Sequence, residues 1–119
     1  MLERLRRTAD FDRVRREGVR WRGRYCALSA APAPQVEAPA RVGYITSRAL
    51  GNAVKRNRAR RLLREAMRRL ACQLPPGWDI VLVAQPPIAE PGTRMAHVYD
   101  ELVWLLSKAR LIPTPDTAK

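Results

Sequence analysis

Residues 52–72 constrain the fold more than any other segment. From Asn52 to Cys72 no Pro or Gly interrupts the chain, and Leu74-Pro75-Pro76-Gly77 follows, so the segment reads as one helix. At about 100° per residue Ala59, Leu62, Leu63, Ala66 and Leu70 share one apolar sector, with Met67 at its edge. Asn57, Arg61, Arg64 and Arg68 line the opposite face. Arg56 and Arg60 flank it on one side, and Arg58, Glu65 and Arg69 on the other. One face must pack, and the other carries stacked arginines with a single carboxylate among them. Like charges at such spacings cost a few tenths of a kcal/mol per pair. Bound phosphate explains that uncompensated stripe better than solvent does. The stripe points to nucleic acid without saying which.

The remaining segments alternate around that helix. Residues 8–18 read as a short helix, with Thr8 as its N-cap, Asp10 and Asp12 at its positive end, Phe11 and Val14 apolar, and Gly18 closing it. Arg20–Ala31 reads as strand, broken near Gly23. Tyr25, Ala27 and Ser29 fall on one face, and Cys26, Leu28 and Ala30 on the other. Pro32, Pro34 and Pro39 make the next stretch a loop. Arg41–Ser47 is strand, with Val42 and Tyr44 on one face and Ile45 on the other. Trp78–Ala84 is a buried strand. After a Pro-rich connection, Thr93 caps a helix to about Ala109 carrying Val98, Leu102, Leu105 and Leu106 at helical spacing. The expectation is one α+β domain over residues 1–119, with about three helices on a four-stranded sheet and frayed ends at 1–7 and 111–119. Trp78 and Trp104 are expected in the core.

Charge narrows the function. The 119 residues carry 23 Lys+Arg against 11 Asp+Glu, a formal net charge of +12. Residues 1–69 hold 19 basic and 6 acidic groups, net +13, while residues 70–119 are near balance. A polyanion-binding surface on an ordinary scaffold fits that asymmetry. Cys26 and Cys72 are isolated, which excludes a zinc finger and a disulfide framework. The basic N-terminus has no apolar run behind it, and no stretch is long enough to span a bilayer, so a reduced, cytoplasmic, membrane-free setting is expected. Asp79, Glu90, Asp100 and Glu101 are scattered and His97 stands alone, so no catalytic or metal-holding group is expected in the protein.

One stretch is more specific than composition. Arg41-Val-Gly-Tyr-Ile-Thr-Ser-Arg48-Ala-Leu-Gly51-Asn52-Ala-Val-Lys55-Arg56-Asn57-Arg58-Ala-Arg60-Arg61-Leu-Leu-Arg64-Glu65 resembles the signature of the bacterial ribonuclease P protein subunit. Arg4-Leu5-Arg6, Asp10-Phe11-x-x-Val14 and Gly18 are similar to that family's opening helix, and Gly77–Val83 to its last strand. The resemblance implies an α/β sandwich with a left-handed β-α-β crossover placed at Gly51–Asn57. It implies an RNA-binding subunit that assists a catalytic RNA, which uses Mg2+ to remove the 5′ leader from precursor tRNA. No cofactor is then bound by the protein alone, and the chain is monomeric without RNA.

Residue by residue, the resemblance assigns Arg48, Asn52, Lys55, Arg56, Asn57, Arg58, Arg60, Arg61 and Arg64 to the RNA subunit, with Arg68 extending the stripe by a turn. It assigns Phe11, Arg15, Tyr25, Ala27, Ser29, Asn57 and Arg61 to a cleft for the single-stranded leader. Phe11 is open between base stacking and core packing, and so is Tyr25; Trp21 is a further stacking candidate. Arg15 stands where the family often has a second aromatic. Ala27 and Ser29 stand where it has bulky groups, and Ala49 replaces one of two basic residues before the Gly-Asn turn. These replacements imply a more electrostatic cleft. A basic ribosomal-type protein or RNA chaperone would share the composition but not the Gly51–Arg58 run. A DNA-binding regulator would need a helix-turn-helix, and a membrane-active helix a face of Trp, Phe and Leu.

Overall fold

The computed structural model describes residues 2–113. Five strands and three α-helices alternate: β1 (Glu3–Arg4), α1 (Thr8–Glu17), β2 (Val19–Arg22), β3 (Cys26–Pro32), β4 (Arg41–Ile45), α2 (Ala53–Leu70), β5 (Trp78–Ala84) and α3 (Met95–Lys108). The sheet order is β1-β4-β5-β3-β2. β3 is antiparallel to β2 and β5, whereas β4 runs parallel to β1 and β5, so α2 links two neighbouring parallel strands.

The apolar sector of α2 and the Val98–Leu106 stripe of α3 pack together on Cys26, Leu28, Ala30, Val42, Ile80 and Leu82, which forms the main core. The opposite sheet face carries a smaller cluster of Leu5, Val14, Ala31 and Val81, with half-buried Phe11, Ile45 and Val83 against it. α1 covers part of that second face. Its seat is electrostatic as well as apolar. The fully buried Asp79 carboxylate accepts from Arg41 Nε and Nη2 at 2.8 and 2.7 Å, and from Arg13 of α1. Both guanidiniums also face Asp10, at 3.7 and 3.8 Å. The bond to Asp79 raises the Arg41 pKa further above its usual value.

Several expectations need correction. The sheet has five strands because the chain at 3–5 pairs with β4: Glu3 N–H donates to Ala40 at 2.9 Å, Leu5 N–H to Val42 at 3.0 Å, and the Leu5 side chain is buried. A two-residue strand has no periodicity to read, so residues 1–7 looked frayed. At the other end Leu111 and Ile112 are buried. Arg110, at φ 64°, turns the chain back so that Leu111 N–H reaches the Leu106 carbonyl at 2.9 Å, a helix stop usually marked by Gly. The expected fraying at 114–119 lies outside the described residues. The N-caps are Arg7 and Arg94, one residue from Thr8 on one side and Thr93 on the other. Trp78 packs against the core, but Trp104, on the far side of α3 from Leu102, is exposed beneath the Lys108 ammonium.

Candidate RNA-binding surface

The entry to α2 is built by short-range bonds. Ser47 Oγ accepts from Ala49 N–H, Gly51 turns the chain at φ 114°, and Asn52 Oδ1 caps the helix by accepting from Lys55 N–H at 3.0 Å. A residue with a Cβ would be strained at that φ. Arg48, Asn52 and Lys55 are left exposed around this turn, while Arg56 folds back to donate to the Gly51 carbonyl at 3.2 Å.

The arginines of α2 then divide by partner. Arg58 is half-buried between α2 and the start of α3, donating to the Thr93 carbonyl at 2.6 Å; its Nη1 is buried without a partner among the described residues. Arg60 donates to Thr46 Oγ1 at 2.6 Å and leans toward Asn57 Oδ1 at 3.5 Å. Arg68 and Arg69 both bond Glu65, and their hydrogen bonds hold its carboxyl at a pKa of about 2. Arg61 is exposed and makes no hydrogen bond or ion pair among the described residues. Arg64 is also exposed, and its guanidinium stands 5.8 Å above the Tyr44 ring, whose hydroxyl burial pushes up to about 12. The outward crest therefore presents Asn57, Arg61 and Arg64 to solvent, with Arg68 half-neutralised beyond them.

The second face of the sheet forms a groove beside α1. Across four strands the register aligns Arg22, Ala27, Val83 and Ile45 in one row, and Arg20, Ser29, Val81 and Gly43 in the next. Phe11 lies over Gly43, where any Cβ would overlap its ring. One turn later, helical spacing puts Arg15 on the same flank of α1, away from the Asp10–Arg13 side that binds Asp79. At the β4 end a depression of about 260 Å³ is lined by Arg4, Leu5, Phe11, Tyr44, Arg60 and Arg64.

The two expected groups are therefore brought together differently from their assignment. Arg60 and Arg64, rather than Arg61, stand beside Phe11. Arg61 faces a shallow groove toward α3, with Arg58, Leu62, Glu65, Arg69 and Met95. Tyr25 is not in the cleft. The Glu101 carboxylate accepts from the backbone N–H groups of Arg24, Tyr25 and Cys26, at 2.7–2.9 Å. That wrapped backbone breaks strand alternation, so Tyr25 stacks on His97 of α3, ring centroids 6.1 Å apart. Ala27 and Ser29 do lie on the α1 side of the sheet but are buried, 9% and 3% exposed, beneath the groove floor. Residue-level reading missed Arg4, Tyr44, Arg20 and Arg22. The alternation Arg20-Trp21-Arg22 was the available signal for the last two, since period two puts both on one face. Among the described residues no three His, Cys, Asp or Glu side chains group as metal ligands, and no helix is long and apolar enough to cross a membrane.

Known proteins of one family resemble this chain in both sequence and fold. A family model described as Ribonuclease P matches residues 2–110. The ribonuclease P protein component of Chloroflexus aurantiacus is 41% identical over 114 residues, which cover 94% of this chain and 81% of that protein. That of Roseiflexus sp. (strain RS-1) is 46% identical over 84 residues, covering 71% and 67%. The solved RNase P protein of Staphylococcus aureus superposes with a TM-score of 0.80 at 25% identity, over 92% of this chain and 96% of that one. The RNase P protein from Thermotoga maritima gives 0.78 at 29%, over 89% and 96%. By sequence and fold together, this chain belongs to the ribonuclease P protein family, as the RNA-binding component of that tRNA-processing endoribonuclease.

Proposed function

We propose that the crest and N-terminal turn of α2 bind the catalytic RNA of ribonuclease P, and that the groove between α1 and the sheet holds the single-stranded 5′ leader of precursor tRNA. The observation that carries this reading is the shared depression in which Arg60 and Arg64 of α2 meet Phe11 of α1. One helix thereby contributes to both surfaces, so an RNA docked on its crest delivers a strand to the groove beside it. Arg48, Lys55, Arg61 and Arg64 supply exposed charge for phosphates, and Asn57 stands between them. The ribose-phosphate contacts position the RNA, and the half-buried Phe11 ring offers a face on which a base can stack.

Hydrolysis itself belongs, on this reading, to the RNA and its Mg2+. Asp79 is engaged by two arginines, Glu65 by two more, and Glu101 by three backbone N–H groups, and among the described residues no three His, Cys, Asp or Glu side chains group as metal ligands. The protein binds, orients and neutralises. A net charge of +12 also disfavours self-association, so the chain is a monomer until it meets RNA in the cytoplasm.

Reconstitution tests the proposal. Purified protein added to a bacterial ribonuclease P RNA at low Mg2+ should restore release of the leader from precursor tRNA, and protein alone should release none. Cleavage at the mature 5′ end by RNA-free protein would overturn the division of labour.

A further inference from the structure

The groove has an unusual wall. On its α1 side stand Phe11 and Arg15, and its floor lies over Ala27 and Ser29, both small and buried. Directly opposite those two residues in the antiparallel register lie Arg22 and Arg20 of the edge strand β2. Directly opposed residues project to the same face, so each of the two small residues has an exposed guanidinium beside it. Arg22 is held there: its Nε donates to Gln85 Oε1 at 3.0 Å, and Gln85 is tied by its own amide to the Gly23 carbonyl at 2.7 Å. That single bond leaves the two Nη groups of Arg22 available. Among the described residues Arg20 has no hydrogen bond or ion pair, and no carboxylate pairs with either side chain.

We propose that Arg20 and Arg22 form a phosphate-binding rail along the β2 wall of the groove, so that this chain grips the leader by its backbone where aromatic side chains are lacking. The inference rests on the groove being the leader site. Phe11 over Gly43 and the rail on β2 are separated by three strand spacings, about 14 Å at 4.8 Å each. A strand crossing the floor can therefore meet one stacking group and then two cations. Phosphates are common to every sequence, so the rail makes leader binding indifferent to base identity.

The test uses the reconstituted holoenzyme. Arg20→Ala with Arg22→Ala should lower affinity for a precursor tRNA with a long leader about tenfold and flatten the slope of log K against log salt by about 1.4, two single-strand contacts at about 0.7 each. Binding to the RNA subunit, and to a precursor with a one-nucleotide leader, should not change. Neutral methylphosphonate linkages in the leader should weaken the parent complex but not the double variant. The Arg→Lys pair should keep the salt slope. If alanine loosens the edge strand, as circular dichroism would reveal, the Arg→Gln pair carries the same comparison. Unchanged long-leader affinity in a folded double variant, or an equal methylphosphonate penalty in parent and variant, overturns the rail alone, provided the parent still prefers the long leader. If the parent binds long and short leaders equally, the leader site itself is wrong and the rail falls with it.

Discussion

Two groups of arginines in this small domain stand in opposite surroundings. Arg13 and Arg41 converge on Asp79, whose carboxylate is fully buried, and together they clamp α1 to the sheet. Arg61 and Arg64 stand on the crest of α2 with no carboxylate partner among the described residues. The residue type is the same, and so is its charge. What differs is where the nearest acid sits: beside Asp79 a guanidinium is architecture, and on the crest it is left without a carboxylate, as the proposed contact with phosphate requires.

Removing the buried acid should have the largest effect on the molecule. Asp79→Asn keeps the shape and deletes the charge, leaving two guanidiniums around a neutral amide. Breaking a buried pair costs about 3–5 kcal/mol; because Arg13 and Arg41 remain partly in water, about 3 kcal/mol is expected, read as a lower urea midpoint. The crest should behave in the reverse way. Arg61→Ala with Arg64→Ala should shift stability by no more than about 0.5 kcal/mol, while two lost charge-assisted contacts at about 1.5 kcal/mol each or more weaken RNA-subunit binding at least a hundredfold. If Asp79→Asn were neutral for stability, or the crest pair destabilising, the distinction between the two groups would collapse.

The same contrast explains what the sequence could reveal. The apolar sector of α2 and its Asn52 cap follow from spacing and local chemistry, and both stand in the structure. The Arg13–Asp79–Arg41 clamp joins residues far apart in sequence, and no periodicity announces it. Tyr25 was misplaced because strand alternation was extended one residue too far, into a backbone bent around Glu101. β1 was missed because two residues carry no pattern. Arg60 and Arg61 are neighbours on the chain, yet a rotation of about 100° sends one to Thr46 and Phe11 and the other toward α3. Choosing between them required knowing which flank β4 occupies.

Phe11 sits between architecture and contact, so it sharpens the comparison. Phe→Ala in a core costs about 3–5 kcal/mol, and half-buried Phe11 should cost less. Phe11→Leu retains most of the apolar volume over Gly43 while removing the ring face. It should leave the fold and RNA-subunit binding intact. Affinity for long-leader precursors should fall roughly fivefold to tenfold, the lower part of the range of about 1–3 kcal/mol for stacking one base. Gly43→Ala should give the same phenotype, because its Cβ occupies the space of the Phe11 ring. If Phe11→Leu binds long and short leaders with parental ratios, the residue is packing alone.

The smallest effect tests the idea that an acid decides an arginine's role, by taking an acid away where the arginines are exposed. Glu65 engages Arg68 and Arg69 on the α2 surface. Its carboxyl is held near pKa 2, below the usual 4.5, so the stabilisation from this pairing is complete above about pH 4.5 and is lost only as pH falls through about 2. At neutral pH the triad is intact and costs the crest one unit of positive charge. Glu65→Gln removes that charge and releases both guanidiniums beside Arg61 and Arg64. Exposed pairs contribute little to stability, so the melting temperature should barely move. RNA-subunit affinity should instead rise two- to fivefold at low salt, with a steeper salt dependence. The gain should shrink as salt approaches about 1 M, where the Debye length is near 3 Å. A loss of affinity would mean that Glu65 orients Arg68 for RNA rather than restraining it, and the rule drawn from Asp79 would not extend to the surface.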